Sequence, residues 1–353
     1  HSFPTRRSSD LLKWKDASMM FKTIISKILQ MMIVLFVITT LTFILMKLSP
    51  GNPVNKILHL NTTQVSQSQI QATEQKLGLN DSIFVQWWHW MSHLLHFNLG
   101  TSFQTNEPVT QEIASYIGPT LIITFGTLIV SMIISIPLGI FAALNYHKTL
   151  DHLIRVFTSL SVSLPSFFIG LILLFIFNQK LNLLPTSEEG SIAIYVLPIL
   201  TMSIGMCAYY IRLIRSNLLE QYQSPIVEAS RLRGMSERYI LFNDIFKPSL
   251  LPIIPLLGLS VGSLIGGTVV IENLFDIPGL GYILVDSIKS RDYPLIQGCV
   301  LFIGCFVVII NTIADILSLM MDPKQRYNTK DGINIFKSSR QSQHRQEGDR
   351  HEA

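Results

Sequence analysis

Six stretches of this sequence are apolar for long runs, and only one holds a formal charge within its expected limits. They fall at about 28–46 (ILQMMIVLFVITTLTFILM), 119–144, 156–177, 192–211, 250–271 and 295–320. The exception is Asp315, near the end of the sixth. Crossing a bilayer as a helix takes about 20 mostly apolar residues. Composition agrees: 14% of the 353 residues are charged, against about 25% in ordinary soluble domains. Mean hydropathy is +0.40. The expected fold is an all-α membrane protein with six transmembrane helices. Pro137, Pro165, Pro198, Pro252 and Pro255 lie in or beside the runs, as membrane helices tolerate.

Basic residues set the expected orientation, because Lys and Arg accumulate in cytoplasmic loops. Lys22 and Lys27 precede the first run, and Lys148 and Arg155 stand in the turn after the second. Arg212, Arg215, Arg231, Arg233, Arg238 and Lys247 fill the loop after the fourth, and Lys324 and Arg326 follow the sixth. Residues 47–118 have only Lys47, Lys56 and Lys76. Both termini and the loop 216–249 are therefore expected in the cytoplasm, with 47–118 outside. This outer loop reads as a Pro/Gly turn, LSPGNPV (48–54), then a polar helix over 64–77 and an amphipathic one over 81–97. Trp87, Trp88 and Trp90 suit a membrane interface. Together they form a helical cap between helices 1 and 2.

The ends stand apart from the fold. HSFPTRRSSDL (1–11) resembles an in-frame translation of a sequencing adapter, so 1–18 are expected to be a non-native leader before Met19 or Met20. Residues 19–118 would hold the first helix and outer loop, and 119–327 the five-helix core. The tail 328–353 is polar and expected to be disordered. Cys207, Cys299 and Cys305 all sit in apolar runs and read as small buried hydrophobes.

A search for chemistry returns little. There is no Gly-Lys dipeptide and hence no phosphate-binding P-loop. No zinc-type Cys/His spacing occurs, and the small net charge of +4 gives no reason to expect nucleic acid. Gly258-Leu-Ser260-Val-Gly262 fits the hydrolase elbow G-x-S-x-G. It stands inside an apolar run, where small residues mark close helix packing. His89, His93 and His96 have i, i+4, i+7 spacing on the outer amphipathic helix. They would suit a metal, or equally a polar interfacial face. Intramembrane acids are functional candidates, but Asp315 is shallow. The general lack of fixed charge argues against a self-contained secondary transporter, the alternative function, and implies that energy enters from another subunit.

The stretch EASRLRGMSERYILFNDIFKP (228–248) interrupts this pattern, with seven charges in twenty-one residues. Glu228-Ala229-Ser230 followed by Gly234 resembles the "EAA" loop of binding-protein-dependent ABC importer permeases. The ending Ile245-Phe-Lys-Pro248 places proline one residue later than the wider family's I-x-L-P, as in the peptide/nickel branch. FNLGTSFQTNEPV (97–109), VIENLFDIPGLGYILVDSIKSRDYPLIQG (270–298) and IADILSLMMDPKQRY (313–327) also match that branch, as does LSPGNPV. The resemblance covers about 20–327 and is closest to the "B" permeases.

This resemblance implies a type I ABC importer permease-like fold in the bacterial cell membrane. It implies a peptide or nickel cargo, a sister "C" permease in a heterodimer, two ABC ATPase subunits and an extracytoplasmic solute-binding protein. The chain would be no enzyme and hold no cofactor, ATP being bound by the partner ATPases. Coupling to them would fall to Pro225, Ile226, Glu228, Ala229, Ser230, Arg231, Arg233, Gly234, Met235, Ser236 and Pro248. In physical terms, Ser224-Pro225 opens a short helix, Gly234 permits a sharp bend, and Ser236 caps a second helix. Arg231, Arg233 and Arg238 would meet acids of the partner. Pro278, Gly279 and Gly281 form a tight turn, read as an outer gate, a binding-protein contact or a plain surface hairpin.

Overall fold

The computed structural model describes residues 6–48, 54, 57–58, 66–76, 78–183 and 191–321. The LSPGNPV turn lies almost wholly outside them, as do Lys324, Arg326 and the tail. Among the described residues there is no β-strand, only an isolated bridge between Thr101 and Pro108.

The first helix, α1, runs Arg6–Leu48, and the long connection after it contains α2 (Gln67–Lys76) and α3 (Ile83–Leu95). Next come α4 (Val109–Leu144), α5 (Thr149–Ser163), and α6 (Ser166–Leu173), which continues as a π-helical stretch over Leu174–Lys180. A short 3-10 turn leads into α7 (Val196–Tyr222), followed by α8 (Pro225–Leu232). Then α9 (Glu237–Tyr239), a second π-helical stretch (Ile240–Phe246) and α10 (Lys247–Leu250) lead into α11 (Ile253–Phe275). The last two are α12 (Leu280–Ser290) and α13 (Tyr293–Met321).

Five segments are long and apolar enough to cross a membrane: Ile25–Leu48, Val109–Leu144, Ile192–Tyr222, Glu237–Phe275 and Tyr293–Leu317. The sixth expected crossing is not a single helix. α5 and the α6 segment meet at 101°, so 156–177 is a bent pair. Pro165 stands at the break with extended backbone (φ −60°, ψ 140°). A proline also disfavours the helical region for the residue before it. Its carbonyl accepts the N–H groups of Phe168 and Ile169, at 3.0 and 3.2 Å, and so restarts the helix. Arg155, expected in a turn, lies inside α5; the turn itself spans 145–148.

The chain forms two compact units, and α4, α5, α7, α11 and α13 each supply a part to both. The first holds 1–131, 161–206 and 261–309. Its core gathers Ile123, Leu197, Met202, Leu264, Ile271, Phe275 and Ile277. A second cluster joins Val109, Ile113, Leu280, Ile283, Leu295 and Cys299. Helices come close where a glycine omits the side chain. A Cβ on Gly126 would lie 2.5 Å from Ile199 Cδ1, and one on Gly170 2.7 Å from Leu274 Cδ2.

Among the described residues, the second unit holds 132–160, 207–260 and 310–321. Here a Cβ on Gly139 would stand 2.8 Å from Ile214 Cβ, and the Ser135 hydroxyl donates to the Cys207 carbonyl at 3.3 Å. Asp151 is fully buried and takes Arg215 in a two-pronged pair, Nε–Oδ1 2.6 Å and Nη2–Oδ2 2.8 Å. The same carboxylate accepts the His147 N–H at 3.1 Å, and the Tyr146 ring lies 5.2 Å from the guanidinium. This polar cluster ties the 145–148 turn to α7. A buried charge needs such pairing, since isolation costs far more than the pair returns.

The G-x-S-x-G match resolves as packing. A Cβ on Gly258 would fall 2.3 Å from the Ala314 Cβ, and the Ser260 hydroxyl bonds the Tyr210 hydroxyl at 2.6 Å. In the first unit, a Cβ on Gly262 would lie 2.8 Å from Val307 Cγ1. We predict that Gly258→Val destabilises the protein by about 1–3 kcal/mol through overpacking. Ser260→Ala should cost about 1–3 kcal/mol by stranding the Tyr210 hydroxyl, with transport retained. Thermal unfolding in detergent and uptake by reconstituted protein measure both. A folded but transport-dead Ser260→Ala chain would revive a chemical role for Ser260.

Candidate functional site: a coupling loop and a capped outer turn

The charged strip folds as a helix–bend–helix. Ser224 has the extended backbone of an N-cap and Pro225 takes the first turn, where its missing N–H is harmless. α8 turns Val227 and Ser230 inward, both buried. Ile226 and Leu232 point out, Ala229 is half-buried and Glu228 is exposed. Ser230 therefore belongs to the inner face, apart from its motif neighbours.

Gly234 ends α8. Its φ is +74°, and nothing lies within 4 Å of where a Cβ would be. Glycine is thus needed for conformation and not for space. The Gly234 N–H bonds the Arg231 carbonyl at 2.9 Å and the Met235 N–H bonds the Ser230 carbonyl at 3.2 Å. This is the Schellman pattern that closes helices through a left-handed residue. Ser236 then starts α9, its hydroxyl accepting the Tyr239 N–H at 3.3 Å.

Two of the arginines are engaged within the loop. Arg231 meets Glu237 (Nε–Oε1 3.0 Å) and its guanidinium lies 4.9 Å from the Tyr222 ring centre. Glu237, and after it Tyr222, push the Arg231 guanidinium above its usual range, so it is charged at any cellular pH. The pair is exposed and holds shape more than it adds stability. Arg233 Nε donates to the Ala229 carbonyl at 3.1 Å. The base of the loop is closed by Asn217 and Ser249: Nδ2 to the Ser249 carbonyl at 3.0 Å, and Oγ to the Asn217 carbonyl at 3.3 Å.

Pro248 stands two residues after the π-helical stretch, in the first turn of α10. A proline inside an α-helix clashes with the carbonyl four residues back and leaves it unpaired. The wider π turn relieves this crowding. The Ser249 hydroxyl also returns to the Ile245 carbonyl at 2.6 Å.

The outer turn is built around a residue that sequence reading misses. Glu272 is fully buried, three residues before the end of α11. Asp276 turns left-handed (φ 54°), and Gly279 opens α12 with no side chain to cap it. Glu272 supplies the cap from α11. Its Oε2 accepts the Gly281 N–H at 2.7 Å and the Tyr282 N–H at 3.0 Å. The Thr120 hydroxyl donates to Oε1 at 2.7 Å and accepts the Leu280 N–H at 2.8 Å. The first three N–H groups of α12 are thereby satisfied, where a helix start would leave them bare. A Cβ on Gly279 would sit 2.4 Å from Glu272 Cδ, and one on Gly281 2.4 Å from Val269 Cα. Both glycines give room for the carboxylate and its helix.

The far end of α12 repeats the device. Asp292 is buried; its Oδ1 accepts the Leu295 N–H at 3.2 Å at the start of α13. Its Oδ2 accepts the Ser102 hydroxyl at 2.5 Å and the Gln104 N–H at 3.2 Å. So the stretches 97–109 and 270–298, far apart in sequence, meet at one carboxylate.

These acids correct the expectation that Asp315 is the only charge within the crossings. The helices run beyond the apolar runs, and Glu112, Asp151, Arg212, Arg215 and Glu272 are among the charged residues that fall within them. Glu272 lies one residue beyond the expected fifth run; its signal is an acid followed by Asn-Leu-Phe before the Pro-Gly turn. Among the described residues no three His, Cys, Asp or Glu side chains gather as a metal site. His89, His93 and His96 are exposed along α3.

Apolar helices in this number, joined by a solvent-facing helix–bend–helix, define a multi-pass membrane protein of the permease class. The family model described as "Binding-protein-dependent transport system inner membrane component" matches residues 135–327, and its N-terminal companion matches 20–124. The chain belongs to this family of ABC importer permeases, which work with ATPase and binding-protein partners. It is 67% identical over 305 residues to the nickel import system permease protein NikB of Staphylococcus aureus strain USA300, spanning 86% of this chain and 92% of that protein. The same figures hold for the protein of the bovine strain RF122. Among solved structures, an inward-facing MetNI methionine ABC transporter aligns with a TM-score of 0.49 at 15% identity, covering 60% of this chain and 97% of that one.

We predict that Glu272→Ala lowers stability more than Thr120→Val, because it strands two N–H groups at about 1–3 kcal/mol each. Limited proteolysis between 276 and 292, with thermal unfolding in detergent, would register it. Equal stability of Glu272→Ala and the parent would remove the capping role.

Proposed function

We propose that the chain forms half of the translocation pathway of a nickel importer, beside a sister permease. The nickel reading rests on the name of its 67%-identical relatives. Two ATPases bind ATP below the pair, this chain holds no cofactor, and a solute-binding protein delivers cargo from outside. Both termini and 216–249 face the cytoplasm, as the basic residues direct. The outer loop and the turn at Pro278, Gly279 and Gly281 face the opposite side, where the turn serves the outer gate.

One observation carries the coupling role. The helix–bend–helix presents Ile226, Leu232, Met235, Tyr239 and Phe242 to solvent, with Leu232 84% exposed. An apolar surface of this kind at a soluble loop marks a protein contact. The ATPase surface would receive it, with Glu228 and Arg238 at its polar rim and the Gly234 bend setting the angle between the helices.

The peptide cargo of the wider branch is the competing reading. Cells carrying or lacking this subunit, offered labelled nickel and a labelled dipeptide, decide between them. Subunit-dependent nickel uptake alone is expected; subunit-dependent dipeptide uptake alone refutes the cargo. Coupling is tested by Gly234→Pro, which can neither adopt φ +74° nor donate to the Arg231 carbonyl. We predict normal insertion with ATP-driven uptake lowered at least about tenfold, a barrier change of about 1.4 kcal/mol or more. Unimpaired uptake would overturn the docking role.

A further inference from the structure

The helix α3 divides into three sectors at 3.6 residues per turn. Trp87, Trp90, Met91 and Leu94 are half-buried and form its inner side. Gln86, His89, Ser92, His93 and His96 form a polar side. Between these lies a third sector, Phe84, Trp88 and Leu95, which is apolar and exposed. No residue of α3 is fully buried. A helix resting on protein above an aqueous loop needs two sides, one apolar and one polar. The third requires a second apolar surrounding.

Its position identifies that surrounding. Trp87 packs edge-on against Phe36 of α1, ring centres 6.1 Å apart at 86°. Phe84 and Trp88 follow in contact with Trp87, at 6.0 and 6.4 Å. Phe36 lies within the candidate crossing Ile25–Leu48, so Trp87 is seated against a stretch long and apolar enough to span the membrane. Around Phe36, the α1 side chains Met32, Ile33 and Val37 are themselves exposed, as on a helix that faces acyl chains.

We infer that α3 is a lipid-embedded interfacial helix, with Phe84, Trp88 and Leu95 among the acyl chains of the leaflet at the Leu48 end of α1. Its histidine side faces the headgroups. Interfacial helices of this build carry aromatic and Leu side chains on the buried side, and tryptophan favours this zone. The helix then fastens the outer cap to the bilayer, so the cap moves with α1 and its lipid shell.

Tryptophan fluorescence tests this directly, because three of the chain's four tryptophans lie in α3 and the fourth is Trp14. The full chain carrying W14F, W87F and W90F retains only Trp88. In phosphatidylcholine–phosphatidylglycerol vesicles its emission should fall at least about twofold with brominated acyl chains and hardly change with aqueous iodide. Quenching by iodide without quenching by lipid places the sector in water and overturns the inference. Quenching by neither shows that protein covers the sector, which overturns it equally. Should the triple variant fail to insert, the W14F chain is read the same way: partial lipid quenching is expected, and its absence is decisive against the idea.

Discussion

A backbone group buried away from water must find its hydrogen-bond partner within the protein, so every buried break between helices is closed by the chain itself. This constraint organises the places where the chain departs from straight helices. At the outer turn, Glu272 and Thr120 close the first three N–H groups of α12. At its far end Asp292 starts α13 and holds the 102–104 backbone. Asp151 does the same for the turn before α5. Each is a carboxylate deep in the fold, and each serves two elements at once. Buried carboxylates among the described residues thus stand where one helix gives way to the next.

Much of the fold is legible from hydrophobic runs, because a run of sufficient length leaves the chain little choice. Runs do not reveal ends. Residues 109–118 continue α4 although Gln111, Glu112 and Ser115 make them polar, and Glu272 extends α11 past the point where hydropathy stops. Proline shows the same limit. Pro137 sits within α4 without ending it, Pro198 sits in the first turn of α7, and Pro165 stands at a 101° bend. The outcome depends on which groups take up the freed carbonyls, a fact about neighbours that no local pattern contains. The Gly279/Gly281 pair is visible in sequence as a turn; the carboxylate that makes glycine necessary is not.

Pro248 of the charged loop has a local geometric account. The π-helical stretch Ile240–Phe246 ends two residues before it. A π turn closes its bond one residue further along than an α turn. The same widening eases the proline ring past the preceding turn. Beyond it, α11 packs through Gly258 on Ala314 and bonds Tyr210 through Ser260.

The two faces of the loop differ for a related reason. Its inner residues are tied by bonds within the chain: Ser230 to Met235 and Ser249 to Asn217. Its outer residues include Ile226, Leu232 and Phe242, which stay exposed among the described residues. Elsewhere exposed leucine and isoleucine are explained by lipid, but this segment carries Glu228, Arg231, Arg233, Glu237 and Arg238 among them, and five charges in eleven residues keep it out of a hydrocarbon layer. Lipid and water are both poor surroundings for that mixture. A protein surface with an apolar hollow and a charged rim suits both parts, which is what a separate motor subunit would have to offer.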